Sequence, residues 1–143
     1  MKIYSDKNIN VYYDAETPCI HLSVEGFVKS EAFRKMADEA LNQWEVKRKN
    51  HDNLLWLADS RGLGALSKED LDWLDNNWNP RAAAKGMDTM AFIVPKSAFG
   101  EMTVKSYTTA IESGNTNAEI HTQMFDSVES AKKWFMERDA AIV

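Results

Sequence analysis

The chain has 143 residues, 44% of them hydrophobic and 27% charged, with a formal net charge of −5. That length suits one domain with a hydrophobic core of its own, and the negative balance argues against a general binder of nucleic-acid phosphates, which needs a basic stripe. A single cysteine, Cys19, leaves no internal disulfide to form.

The N-terminal "MKIYSDKNINVYY" lacks the apolar block of a signal peptide. No apolar run approaches the roughly 20 residues of a membrane span. A cytoplasmic protein is expected, with no nucleic-acid partner. The one basic cluster, "VKRKN" (Val46 to Asn50), sits where a helix ends and complements its dipole.

In chain order, a short strand is open at Lys2 to Tyr4. "INVYYD" (Ile9 to Asp14) and "CIHLSVEG" (Cys19 to Gly26) alternate with period two around the turn signal "ETP". Ser30 is placed to cap a helix running to about Lys49, with Phe33, Met36, Ala37, Ala40, Leu41 and Trp44 on one stripe. "LLWLA" (Leu54 to Ala58) is apolar on both faces, as a central parallel strand should be. "SKED" (Ser67 to Asp70) reads as a capping box. The helix it opens carries Leu71, Leu74 and Trp78 inward, sets Asp70, Asp72 and Asp75 outward, and ends at Asn79-Pro80. "AFIV" (Ala91 to Val94) is a second buried strand, and a helix starts near Glu101 and stops at Gly114. "AEIHTQMF" (Ala118 to Phe125) alternates like an edge strand. Asp126 with Glu129 then opens a last helix through Val128, Ala131 and Phe135.

The order β-β-α-β-α-β-α-β-α predicts a single α/β domain over residues 1–143. Its sheet is mixed and mostly parallel, a single layer of 4–5 strands with about four helices.

The stretch "DSRGLGALS" (Asp59 to Ser67) carries the most pointed local pattern. As a dinucleotide cradle it fails twice. Ser67 stands where a third glycine belongs, and no acidic residue lies about 20 residues on, where "RAAAKG" is found. No motif calls for a cofactor.

On "EGFVKSEAFRKMADEAL", "WLADSRGLGALSKEDLDWL", "MAFIV" and "FDSVESAKKWF", nearly the whole chain resembles STAS-type domains. These include the bacterial anti-sigma-factor antagonists, and the likeness is greater to small stand-alone relatives that share features with lipid-binding CRAL-TRIO domains. The resemblance implies a non-enzymatic regulatory module working through protein–protein contacts. In the antagonists a strand ends in D-S-S-G-L-G and its second serine is phosphorylated, adding about −1.5 to −2 charges at the contact surface. Here Arg61 occupies that switch position and Ser60 lies one residue out of register.

Asp59 to Gly64 therefore reads as a connection at the carboxyl end of a central strand, where ligands of open α/β sheets bind. Ser60, Arg61, Ser67, Lys96 and Ser97 form a candidate anion or amphipathic-ligand site there. The plainer arrangement pairs Arg61 with Asp59 or Glu69 and leaves Lys96 solvated. Asp59, Leu63 and Trp73 are the candidate interaction surface, within a contact region from Asp59 to Leu66 and the following helix.

His21, His51 and His121 lack metal-ligand spacing. His21 shares a strand face with Cys19, but no arrangement supports a catalytic dyad, and no catalytic residue is assigned. Of the five tryptophans, Trp44 and Trp56 fall on core patterns, whereas Trp73 lies off its helix stripe and Trp134 sits beside Phe135. Aromatics off the core stripe leave open a homodimer contact or an apolar cleft, with simple packing against the next helix the commonest outcome. Two functions follow: a regulatory module with a protein partner, or a carrier or sensor of a small amphipathic or anionic ligand.

Overall fold

The computed structural model describes residues 1–63, 67–93 and 121–142. Of Ser60, Leu63 and residues 138–142 it describes the backbone alone. Six strands form one sheet whose spatial order equals the chain order: β1 (Lys2–Asp6), β2 (Ile9–Asp14), β3 (Cys19–Gly26), β4 (Leu55–Leu63), β5 (Thr89–Ile93) and β6 (His121–Phe125). The first three strands pair antiparallel and β3 through β6 pair parallel. The α/β class with a mixed sheet holds, but among the described residues the sheet has six strands rather than 4–5. The segment at Lys2 is a full member, held by a two-residue turn in which Asn8 takes φ 64°, a conformation asparagine tolerates better than most residues.

The described residues carry three helical stretches, against about four expected; the helix near Glu101 lies outside them. One stretch is α1 (Ser30–Arg48). The second runs through α2 (Lys68–Trp73), a π-helical segment (Leu74–Trp78) and α3 (Asn79–Ala84), and the third is α4 (Val128–Ile142). No described helix is long and apolar enough to cross a membrane.

Alternation in the strands divides the core in two. Ile9, Val11, Ile20, Leu22, Val24, Trp56, Met90 and Phe92 face α1 and the α2–α3 run. On the reverse side Cys19, Leu55, Leu57, Ala91 and Ile93 pack against Ala131 and Phe135 of α4. Two of the three buried indoles on the first side donate to backbone carbonyls: Trp44 Nε1 to Leu54 O at 3.1 Å and Trp78 Nε1 to Ala37 O at 3.0 Å.

Four local expectations change. Asn79-Pro80 does not end the second helical run. The π-helical segment takes in an extra residue just before Pro80, and Asn79 N–H reaches back to Leu74 O. Proline then falls in the first turn of α3, where a missing N–H costs nothing. The stop comes instead at "AAAKGM". Gly86, at φ 100°, donates to Ala83 O and Met87 N–H donates to Ala82 O, the paired bonds of a Schellman cap, with Met87 and Ala82 buried beside each other.

The helix caps also differ at two starts. Ser67 caps α2 as expected, accepting from Asp70 N–H at 3.1 Å, but Ser127, not Asp126, caps α4, accepting from Ser130 N–H. Ser30 is the first helical residue of α1 rather than its cap, because its hydroxyl is drawn to Asp70. Asp70 itself turns inward and is 2% exposed.

The glycine cap gives a simple stability expectation. A Cβ at Gly86 meets no atom within 4 Å, so Gly86→Ala carries only the left-handed backbone cost of about 1 kcal/mol. A urea melt with an unchanged m-value reads it; a loss below a few tenths would mean that the cap relaxes.

Candidate functional site

Asp59 to Leu63 is strand, not connecting loop. β4 continues to Leu63 because its register against β3 slips by one residue: Ser23 faces Asp59, yet Glu25 faces Gly62 and Gly26 faces Leu63. The extra residue is a bulge, a device that re-aims side chains near a sheet edge or site. Gly62 suits this close pass, since a Cβ there stands 3.1 Å from Glu25 Cγ.

At the bulge Arg61 folds back on Asp59. Its Nε donates to Oδ1 at 2.9 Å, its Nη2 to Oδ2 at 2.7 Å, and its backbone N–H to Oδ1 at 3.3 Å. Burial alone would raise the Asp59 carboxyl, but these bonds outweigh it and hold the group below the usual carboxylate range. The same bonds, first of all from the side chain, strengthen the Arg61 cation. The plainer pairing of Arg61 with Asp59 is thus the one formed.

Of the proposed ligand residues, only Arg61 and Ser67 have side chains among those described, and each is bonded within its own element's surroundings. Ser67 is engaged as the α2 cap, Ser60 is described by its backbone alone, and Lys96 and Ser97 lie outside the described residues. Of the interaction residues, Leu63 pairs by backbone with Gly26. Trp73 is half-buried, edge-on to Phe33 at 6.5 Å, with the guanidinium carbons of Arg34 and Arg81 at 5.3 and 5.8 Å from its ring. The cations that stack on it are part of the same molecule.

A second polar group, which the residue pattern did not single out, lies on the α4 side of the sheet. The hairpin register sets Tyr12 opposite His21, ring centroids 5.7 Å apart. Lys132 of α4 donates to Asp14 Oδ2 at 2.8 Å. Burial pushes Asp14 up, but Lys132 and the N–H groups of Thr17 and Glu16 bring it below the ordinary range. Burial alone would lower Lys132, but its bond to Asp14, together with the influence of Cys19 and Glu129, leaves it above its ordinary value. Cys19, buried beneath, is pushed up to about 12 chiefly by desolvation, so it stays a neutral thiol at physiological pH.

His21 is the outstanding member. Its Nε2 is buried without a hydrogen-bond partner among the described residues. Burial pushes the ring below its ordinary value of 6.5; Asp59 pulls it back up, while Lys132 and Arg61 push it further down.

The sign of the stability effect follows. The unfolded chain takes up this proton near pH 6.5 and the folded chain resists it, so stability falls as pH drops from 6.5 toward the lower folded value. Asp59 and Asp14 act elsewhere: their stabilisation is full above their ordinary 3.8 and is lost as pH falls through their lower folded values. Urea midpoints across this range should therefore decline in two stages, and His21→Phe should flatten the upper one. An unchanged upper stage in that variant would show that His21 titrates normally.

Only part of this group was accessible from sequence. Alternation places Cys19 and His21 on one face, and the turn "AETP" fixes the register that pairs Tyr12 with His21. No local signal links Lys132 to Asp14, 118 positions away.

Among the described residues no group of three or more His, Cys, Asp or Glu side chains is placed to hold a metal ion. At the carboxyl end of β3, Phe27 follows Gly26 and is 76% exposed. Comparison with known proteins finds no matching family model, no matching curated protein and no matching solved structure.

Proposed function

We propose that this chain is a stand-alone STAS-like module, cytoplasmic and of the bacterial regulatory kind, that acts through protein–protein contacts and performs no catalysis. The observation that carries this reading is Phe27. Its ring is 76% exposed at the carboxyl end of β3, next to the Gly26–Leu63 pair and the bulge of β4. An exposed aromatic side chain, here one residue past the end of β3, is the residue type that anchors protein interfaces. Glu25 of β3 and the Asp59–Arg61 pair of the neighbouring β4 put charged groups toward the same end of the sheet.

A carrier of small anions fits this end of the sheet less well, because the Arg61 charge is already paired with Asp59, although only two of its side-chain N–H groups are used there. The paired guanidinium also suits a contact surface, since it presents a fixed shape without a net charge.

The test is affinity purification of the tagged chain from its own host, with co-purifying proteins quantified. A stoichiometric partner should be recovered, lost with Phe27→Ser, and retained with Val46→Ser, which removes an exposed apolar residue on α1. Equal recovery with Phe27→Ser overturns the assignment of this surface. Recovery of a small molecule in place of any protein overturns the reading as a whole.

A further inference from the structure

On the α4 side of the sheet, His21 of β3 and Asp59 of β4 are diagonal neighbours. His21 stands opposite Leu57 and Ser23 opposite Asp59 in a parallel pairing. The ring and the carboxylate therefore share one face, two positions apart, within reach of long side chains. Asp59 already holds Arg61 through two side-chain bonds, at 2.9 and 2.7 Å. One carboxylate thus has a permanent cation bonded to it and a titratable ring as its neighbour.

The surroundings of His21 decide what a ring proton does. Tyr12 and Asp14 face it from β2, Glu16 from the following turn, Lys132 from α4, and Asp59 and Arg61 from β4. The Met1 ammonium lines the same depression, Lys2 of β1 lies over the Tyr12 ring, and Glu129 of α4 acts on Arg61 and Lys132. These carboxylates and cations are equal in number, so a proton on His21 leaves the group with an excess of positive charge. Its Nε2 is buried without a hydrogen-bond partner among the described residues. A neutral ring can leave that nitrogen bare, but a charged ring carries N–H on both nitrogens and needs an acceptor.

Two candidates for that acceptor differ in what they already hold. Asp14 takes Lys132 and the N–H groups of Glu16 and Thr17. Asp59 takes Arg61 alone. Burial opposes the charged ring and, of the charges around it, Asp59 favours it most. Releasing Arg61 costs little, because its side chain is 36% exposed against 12% for Asp59 and water can take over its donors. A buried N–H without an acceptor is the worse alternative.

We propose that Asp59 is exchanged between two partners: when His21 takes up a proton, the carboxylate turns from Arg61 to the ring, and the guanidinium is released into solvent at the β4 bulge. The device does not depend on the protein-contact reading.

The test is NMR hydrogen exchange of the Arg61 Nε–H in the full chain, taken relative to the intrinsic rate at each pH. The His21 ring signals are followed in the same samples. Protection of Arg61 should fall about tenfold across the titration of His21, at a pH below 6.5. Trp78 Nε1–H, bonded to Ala37 O, reports global opening and should keep its protection throughout. In His21→Phe the Arg61 bond should persist down to the titration of Asp59 itself, below 3.8. The proposal is overturned if Arg61 stays protected while the wild-type His21 ring titrates, or if Trp78 loses protection together with it. An unchanged fall in His21→Phe overturns it equally.

Discussion

Arg34→Ala should destabilise the fold by about 2–3 kcal/mol, read as a fall in urea midpoint at constant m-value. Arg34 Nε donates to Asp70 Oδ1 at 3.1 Å and Ser30 Oγ donates to the other oxygen at 2.9 Å. The Asp70 side chain is 3% exposed and that of Arg34 is 38% exposed. Removing the arginine strands a carboxylate inside the protein with a single side-chain partner, and desolvation without compensation is the expensive case. Partial exposure of Arg34 lets water reach the vacated place, which keeps the cost at the low end. The double substitution Arg34→Met with Asp70→Leu should recover most of the loss, because no charge is then left buried. A single-variant loss under 0.5 kcal/mol would mean that the pair is already solvated.

Trp78→Ala should cost about 3–5 kcal/mol. The indole is 1% exposed, 4.9 Å from the ring of Trp56, and bonded to Ala37 O of α1. It joins the sheet, α1 and the π-helical segment in one contact, so the hole left behind cannot close by moving one neighbour. Trp78→Phe should cost far less. Most of the apolar contact persists, and Ala37 O lies within the α1 ladder, where it has a backbone donor as well. Equal losses for the two variants would shift the weight from packing to the hydrogen bond. Against the 5–15 kcal/mol that holds a domain of this kind together, Trp78→Ala combined with Arg34→Ala should leave the chain largely unfolded at 37 °C.

The parts of the architecture legible in sequence are those set by periodicity. Phe33, Met36, Ala37, Ala40, Leu41 and Trp44 form the buried stripe of α1, and the alternating "CIHLSVEG" is β3 with Ile20, Leu22 and Val24 inward. Errors arose where a local rule met a longer-range partner. Asp70 looks solvent-facing by charge, yet Arg34 and Ser30 wait for it across α1. Asn79-Pro80 looks like a stop, yet the π-helical turn shifts the proline into a first-turn position. Asp59 to Leu63 looks like a glycine loop, yet a bulge lets β4 keep pairing with β3.

The candidate sites show the same division. The Asp59–Arg61 contact spans two residues and was among the pairings the sequence offered. The Tyr12, His21 and Lys132 group needed the hairpin register and the docking of α4, neither of which a window of neighbouring residues contains. Phe27 carried no signal as a single aromatic beside a glycine; only its exposure marks it.

Strand order across the sheet copies strand order along the chain. During synthesis each new strand therefore emerges beside the one it will pair with, and the sheet can grow in one direction without waiting for distant chain. Contacts of short sequence separation favour fast assembly, and nascent chains are made slowly enough for such growth to keep pace. α4 is the exception. Until it docks, Cys19, Leu55, Leu57, Ala91 and Ile93 lack the cover that Ala131 and Phe135 give them among the described residues, so this face stays open after its own strands have paired.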